Sequence, residues 1–120
     1  MARRNDLRPY TTTEKADKYD ALMPLLDAMT REFRELSKKK PDGVLNRSKV
    51  TMVNRLLKDV LTIVEGEPSR PYLDLLDEEA LPQYSDVLLV LSQFEAAMKS
   101  FHGRYYIYIS STHERSWSTN

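Results

Sequence analysis

The side chains with the clearest capacity for chemistry are two histidines, His102 and His113. Glu95 lies seven residues before His102, so the two could share one face of a helix and offer two ligands to a metal ion. Metal sites normally need three or four protein ligands, and the chain has no cysteine and no further histidine. We therefore predict no metal and no cofactor, and interpret His102 as a helix-end residue that interacts with the helix dipole.

Three acidic residues, Asp74, Asp77 and Glu78, have the i, i+3, i+4 spacing that would bring them onto one face of a short helix. Carboxylates in such an arrangement can transfer protons or hold Mg²⁺, which prefers oxygen ligands. Acidic clusters on short surface helices are more often solvated, or face a basic surface of another protein. We predict that these three residues belong to a protein-binding surface.

The motifs of common enzymes are absent from the sequence. Ser100 lies near His102 along the chain, but no Gly-x-Ser-x-Gly surrounds it and adjacency on a helix does not make a catalytic pair. The three glycines are isolated, so neither a dinucleotide-binding nor a Walker loop can form. No arginine precedes either histidine at the spacing of the Arg-x₄₋₆-His pair that some helical RNases use. We predict that the protein is not an enzyme and has no small-molecule substrate.

Charge is divided between the two halves of the chain, although the total is zero. Residues 1–58 carry a net charge of +6 and residues 59–120 a net charge of −6. Basic residues concentrated between 31 and 58 could contact phosphates, which makes a nucleic-acid-binding subunit the alternative function. The turn expected over 41–46 is longer than the roughly 3–4 residues of a DNA-binding helix–turn–helix. The candidate phosphate contacts are Arg31, Arg34, Lys38, Lys39, Lys40, Arg47, Lys49 and Arg55.

An aromatic run, Tyr105, Tyr106 and Tyr108 with two isoleucines between and after them, follows the last predicted helix. These side chains would expose much apolar area unless they are covered. They can fold back on the bundle, or they can add to another chain as a strand or an aromatic anchor. Because tyrosines are frequent in the centres of interfaces, we predict that the three bind protein. Trp117 lies beyond them in a polar segment that we expect to be loose.

Three helices must position these groups. The first is predicted from about Thr13 to Lys40 with a kink at Pro24, the second begins at Asn46 or Ser48, and the last ends at Gly103. One or two helical turns are expected over 72–76. The apolar positions recur every three or four residues, as one face of a helix requires. They are Tyr19, Leu22, Leu26, Met29, Phe33 and Leu36, then Val50, Val53, Leu57, Val60 and Val64, then Val87, Leu91, Phe94, Met98 and Phe101.

The fold that follows is all-α, a small antiparallel three- to four-helix bundle. Residues 1–12 form a flexible basic arm, 13–103 the bundle, and 104–120 an aromatic and then polar tail. Without cysteine, a signal peptide or a bilayer-length apolar run, the protein is expected in the cytoplasm and away from membranes. We predict a non-catalytic accessory or adaptor subunit that binds a larger protein or a copy of itself.

Overall fold

The computed structural model describes residues 8–120, so most of the predicted flexible arm lies outside the described residues. The described part of the chain is mainly helical, as predicted. It contains three α-helices, one short 3₁₀ turn and two strands. In chain order these are α1 (Thr13–Lys39), α2 (Arg47–Val64), the 3₁₀ turn (Arg70–Tyr72), α3 (Tyr84–Tyr105), β1 (Tyr106–Ile109) and β2 (Glu114–Trp117).

Helix α1 begins where the sequence predicts, because the Thr12 hydroxyl accepts a hydrogen bond from the backbone N–H of Lys15 at 3.1 Å. It continues through Pro24 as one helix. Two lysines occupy its last turn, where positive charge suits the negative end of the helix dipole. The predicted apolar stripe is buried at Leu26 and Phe33, while Leu22, Met29 and Leu36 are half-buried.

Helix α2 supplies the centre of the core. The Asn46 side chain accepts a hydrogen bond from the backbone N–H of Lys49 at 3.0 Å and so caps the first turn. Val50, Leu57 and Val60 are fully buried, in agreement with the predicted stripe. The helix ends before Gly66, whose positive φ of 85° is a backbone conformation that glycine adopts without strain.

The connection from α2 to α3 differs from the prediction of one or two helical turns over 72–76. Its only helical turn, the 3₁₀ turn at Arg70–Tyr72, comes earlier, and residues 73–77 are irregular. The buried side chain of Asn54 on α2 holds this segment. Its amide donates to the Leu76 carbonyl and accepts from the Leu76 N–H, both at 2.9 Å. Asn54 thus satisfies both backbone groups of Leu76, as a neighbouring strand would.

Helix α3 runs two residues past Gly103, the predicted end, and leads directly into a hairpin. Strands β1 and β2 pair antiparallel, with Tyr106 opposite Trp117 and Ile109 opposite Glu114. The all-α description is therefore too narrow, because the β-prone residues after α3 form a small two-stranded sheet. The polar segment that was expected to be loose contains β2.

The two ends of the described chain meet beside this hairpin. The Thr11 N–H donates to the Ser118 carbonyl at 2.8 Å, and the Ser118 hydroxyl donates to the Pro9 carbonyl at 2.8 Å. Thr11 is buried there. Residues 9–12 of the predicted arm therefore lie against the C-terminal segment. None of the helices described in residues 8–120 is long and apolar enough to cross a membrane.

Candidate protein-interaction surface

An open groove runs between α1 and α2. It consists of two adjoining cavities of about 330 and 320 Å³, and Met29 and Met52 line both of them. We call this surface the α1–α2 groove. Its remaining lining is mostly apolar on both helices, with Leu45 and Tyr84 contributing at one end. Other lining residues on the two helices include Leu22, Leu25, Phe33, Leu36, Val53 and Leu56.

Helix α1 has a more extensive contact with α3 than with α2, and apolar side chains along the α1–α2 groove are exposed. Leu25 and Met52, on facing helices, are each 56% exposed. Leu22 and Leu36 are half-buried at the same edge of α1. Apolar side chains of this size scattered singly on a surface need no explanation, but a continuous lined groove is typical of a binding surface.

Four charged residues border the groove and are exposed. Glu32 and Lys49 line one cavity, and Arg55 and Asp59 line the other. None of the four forms an ion pair with another residue of the described chain. Each of the two cavities therefore presents one acidic and one basic side chain to solvent or to a partner.

The three predicted tyrosines of the tail have different environments. Tyr105 is buried and donates its hydroxyl proton to Glu67 Oε2 at 2.8 Å. Burial, and then this hydrogen bond, raise the pKa of Tyr105 above its ordinary value. The half-buried Tyr106 stacks on His102 with ring centroids 4.6 Å apart. Only Tyr108 is mostly exposed, and its hydroxyl lies 3.2 Å from His113 Nδ1.

Trp117 explains why the hairpin lies against the helices. Its indole ring lies 5.1 Å from the ring of Tyr19 and 5.8 Å from that of Phe101. The indole N–H donates to the carboxylate of Asp20 at 3.3 Å. His102 is stacked between Tyr19 and Tyr106 within the same cluster. His102 lies in the last turn of α3, as predicted, in an aromatic environment that the sequence did not indicate.

The acidic residues at 74–78 do not converge on a helix face, because no helix forms there. Asp74 and Asp77 are exposed, and Glu78 is half-buried. The Glu78 carboxylate accepts hydrogen bonds from Thr51 at 3.3 Å and from Asn54 at 3.4 Å. The structural role of Glu78 is therefore to attach the linker to α2, while the predicted protein-binding role of all three residues stays a prediction.

The eight predicted phosphate contacts are all exposed, but they do not share one face. Lys49 and Arg55 border the α1–α2 groove. The positive charge of Arg34 lowers the pKa of Glu95 on α3, so Arg34 lies on another side of α1. Arg47 forms an ion pair with Glu79, with 3.0 Å between the nitrogen and the oxygen. Lys38 pairs with Glu35. Arg31, Lys39 and Lys40 have no ion pair among the residues that the structure describes.

One carboxyl pair was missed by the sequence reasoning. The side-chain interaction of Glu95 on α3 with Asp27 on α1, followed by burial, raises the pKa of Glu95. The positive charges of Lys99, whose Nζ lies 3.8 Å from Glu95 Oε1, and of Arg34 lower this pKa and so partly oppose the rise. Residues 8–120 contain no group of three or more histidine, aspartate and glutamate side chains placed to hold a metal ion. The pair joins two helices, and no sequence motif marks residues 68 positions apart as neighbours.

The fold and the surface define a small, mainly helical protein with an open apolar groove. Comparisons with protein families, with curated proteins and with solved structures find no match. The case for a function therefore depends on the residues of this chain.

Proposed function

We propose that this protein is a non-catalytic accessory subunit that acts by binding protein through the α1–α2 groove, in a cytoplasmic assembly or a homo-oligomer. The observation that carries the proposal is the exposure of Leu25 and Met52, each 56%, above a groove lined by further apolar side chains. Covering such side chains is favourable in proportion to the apolar area removed from water. A protein segment with its own apolar face is the occupant that such a groove suits.

The groove is a stronger candidate than the aromatic tail. Tyr105 and Tyr106 pack against residues of their own chain, so they present little area to a partner in this conformation. Tyr108 remains as an exposed aromatic contact on the hairpin. The tail would therefore contribute an additional contact through Tyr108.

The experiment is capture of binding partners from the native host with a tagged protein, in the presence of nuclease. We expect a stoichiometric protein partner to be retained by the wild type and lost by the double variant Leu25→Glu/Met52→Glu. The matched control is Leu89→Glu, since Leu89 is 61% exposed on α3 and does not line the groove. Loss of the partner with Tyr108→Ala but not with the groove variant would move the binding site to the hairpin and contradict the proposal.

A nucleic-acid-binding subunit is the second candidate, and one observation favours it. Arg31, Lys39 and Lys40 are exposed cations without an ion-pair partner in residues 8–120. If they bind phosphates, affinity for a labelled duplex or single strand falls steeply with salt, because binding releases counterions. The triple variant Lys38→Glu/Lys39→Glu/Lys40→Glu should then abolish binding. The groove variant, which keeps every basic residue, should bind as the wild type does.

A further inference from the structure

We infer that the occupant of the α1–α2 groove is a second copy of this chain, with α1 of each copy lying over α2 of the other. The inference rests on the proposed function and names the partner of the same surface. The mixed charge around the groove carries it, and the area of the α1–α2 face sets the affinity to expect.

The charges at the rim favour a partner whose surface carries the same mixture. Glu32 on α1 and Lys49 on α2 border one cavity, and Arg55 and Asp59, both on α2, border the other, so each cavity has one acidic and one basic residue. A uniformly acidic or uniformly basic partner would meet a like charge beside both cavities. The four side chains form no ion pairs within residues 8–120, so they are available to another chain.

The direction of the helices determines which charges meet. Helices α1 and α2 are antiparallel, since Lys18 near the start of α1 donates to Thr62 near the end of α2 at 3.1 Å. Glu32 and Lys49 line the same cavity and so lie at one level along the groove. A two-fold rotation about an axis parallel to the groove leaves the position along the groove unchanged and places α1 of one copy over α2 of the other. Glu32 of each copy then faces Lys49 of the other, which makes two identical contacts between opposite charges.

The same operation brings the apolar parts together. Met29 and Met52 both lie where the two cavities join, so Met29 of one copy meets Met52 of the other. Methionine side chains are flexible and polarizable, which suits contacts between irregular surfaces. Leu25, at the level of Leu56, would be covered by α2 of the second copy.

The area available is slightly smaller than that of the smallest stable complexes. The 18 residues of α2 give a length of about 27 Å, and two packed helices are roughly 20 Å wide. The face therefore covers about 540 Å² per copy in projection, against the approximately 600 Å² per partner of the smallest stable interfaces. We accordingly expect a dimer with a dissociation constant on the order of micromolar or weaker.

The test is sedimentation equilibrium of the purified full-length chain from about 5 to 500 µM, the range that an interface of this size requires. The wild type should show a monomer–dimer equilibrium. Glu32→Lys and Lys49→Glu should each weaken it roughly tenfold, because two attractive contacts become repulsive. An equimolar mixture of the two variants should form a heterodimer with an affinity close to that of the wild type. Leu89→Glu on α3 is the control and should dimerise normally.

The mixture separates a contact between chains from one within a chain. Inside each variant, positions 32 and 49 carry like charges. If dimerisation required their attraction within one chain, a mixture of the two variants would not restore it. Rescue requires position 32 of the Glu32→Lys chain to face position 49 of the Lys49→Glu chain. Circular dichroism and thermal melting of each variant check that these exposed substitutions leave the fold intact.

Two outcomes would overturn the inference: a wild type that stays monomeric over the whole range, or variants that fail to rescue each other. If the wild type is monomeric while Leu25→Glu/Met52→Glu still loses the captured partner, the groove binds a different protein and the proposed function stands without this inference. If the groove variant affects neither capture nor dimerisation, both proposals fail.

Discussion

Asn54 provides a direct test of how the linker between α2 and α3 is held. Its side chain is 2% exposed and forms hydrogen bonds with both backbone groups of Leu76. Replacement by alanine removes both bonds and leaves the Leu76 N–H and carbonyl without their partner. Leu76 is itself buried, so water cannot replace Asn54 freely.

The expected cost follows from these two backbone groups. A buried donor or acceptor left without a partner costs about 1–3 kcal/mol. With partial relaxation of the irregular segment, we expect Asn54→Ala to lower the free energy of unfolding by about 2–4 kcal/mol. For a domain of this size that corresponds to a fall in Tm of roughly 8–16 °C.

Urea denaturation followed by far-ultraviolet circular dichroism measures this loss. The control is Thr51→Ala, one turn earlier on α2, where the hydroxyl bonds are exposed and the cost should stay below about 0.5 kcal/mol. Hydrogen exchange should show that the Leu76 amide loses protection in Asn54→Ala, while amides in the centre of α3 are affected only through global stability. Equal stability of the two variants would refute the assignment of Asn54 as the residue that holds the linker.

Two further substitutions test local packing and charge. A Cβ on Gly43 would lie 2.5 Å from Tyr84 Cε2, so Gly43→Ala should cost about 1–3 kcal/mol in denaturant unfolding. Gly103→Ala, inside α3 with no atom within 4 Å of the added Cβ, should instead stabilise by about 0.5–1 kcal/mol, and a loss would contradict the helical placement. Asp27 raises the pKa of Glu95 in the folded state. Protonation of Glu95 therefore stabilises the folded wild type, and this stabilisation is lost as the pH rises through the raised pKa. Glu95→Gln should remove this loss in melting scans from about pH 4 to 8, and parallel curves for the two proteins would exclude the carboxyl pair as its source.

The helices could be predicted because their signals are local. Leu26, Leu57 and Phe94 each belong to a series of apolar residues that recur with the helical period, one series per helix, and all three are buried. The capping side chains of Thr12 and Asn46 act within three residues of the chain, so their role is also visible in the sequence. Helix type and register therefore follow from propensity and periodicity.

The linker and the tail depend on contacts that are distant in sequence. In the sequence Asn54 is one of several polar residues of an amphipathic helix, and nothing there specifies that it bonds Leu76. Trp117 packs on Tyr19, almost a hundred positions away, so local patterns predict that the segment around it is loose. The β-branched and aromatic residues after α3 did indicate strand propensity, but a hairpin also requires a partner strand, and the polar residues of β2 give no such signal.

The candidate groove combines members of the predicted stripes, such as Met29 and Val53, with two apolar residues that lie beyond those stripes. Leu25 and Met52 widen the apolar faces of α1 and α2 and are exposed, next to the buried Leu26 and Val53. The face that packs α1 on two neighbouring helices is complete without Leu25, because Leu26 and its periodic partners fill it. Exposed apolar residues need an explanation only where they form a continuous patch. Leu25 and Met52 form one here because the antiparallel packing of α1 and α2 brings both side chains to the same groove. A surplus apolar position on each of two consecutive amphipathic helices is thus the pattern by which the sequence would indicate such a surface, provided that the helices pack side by side.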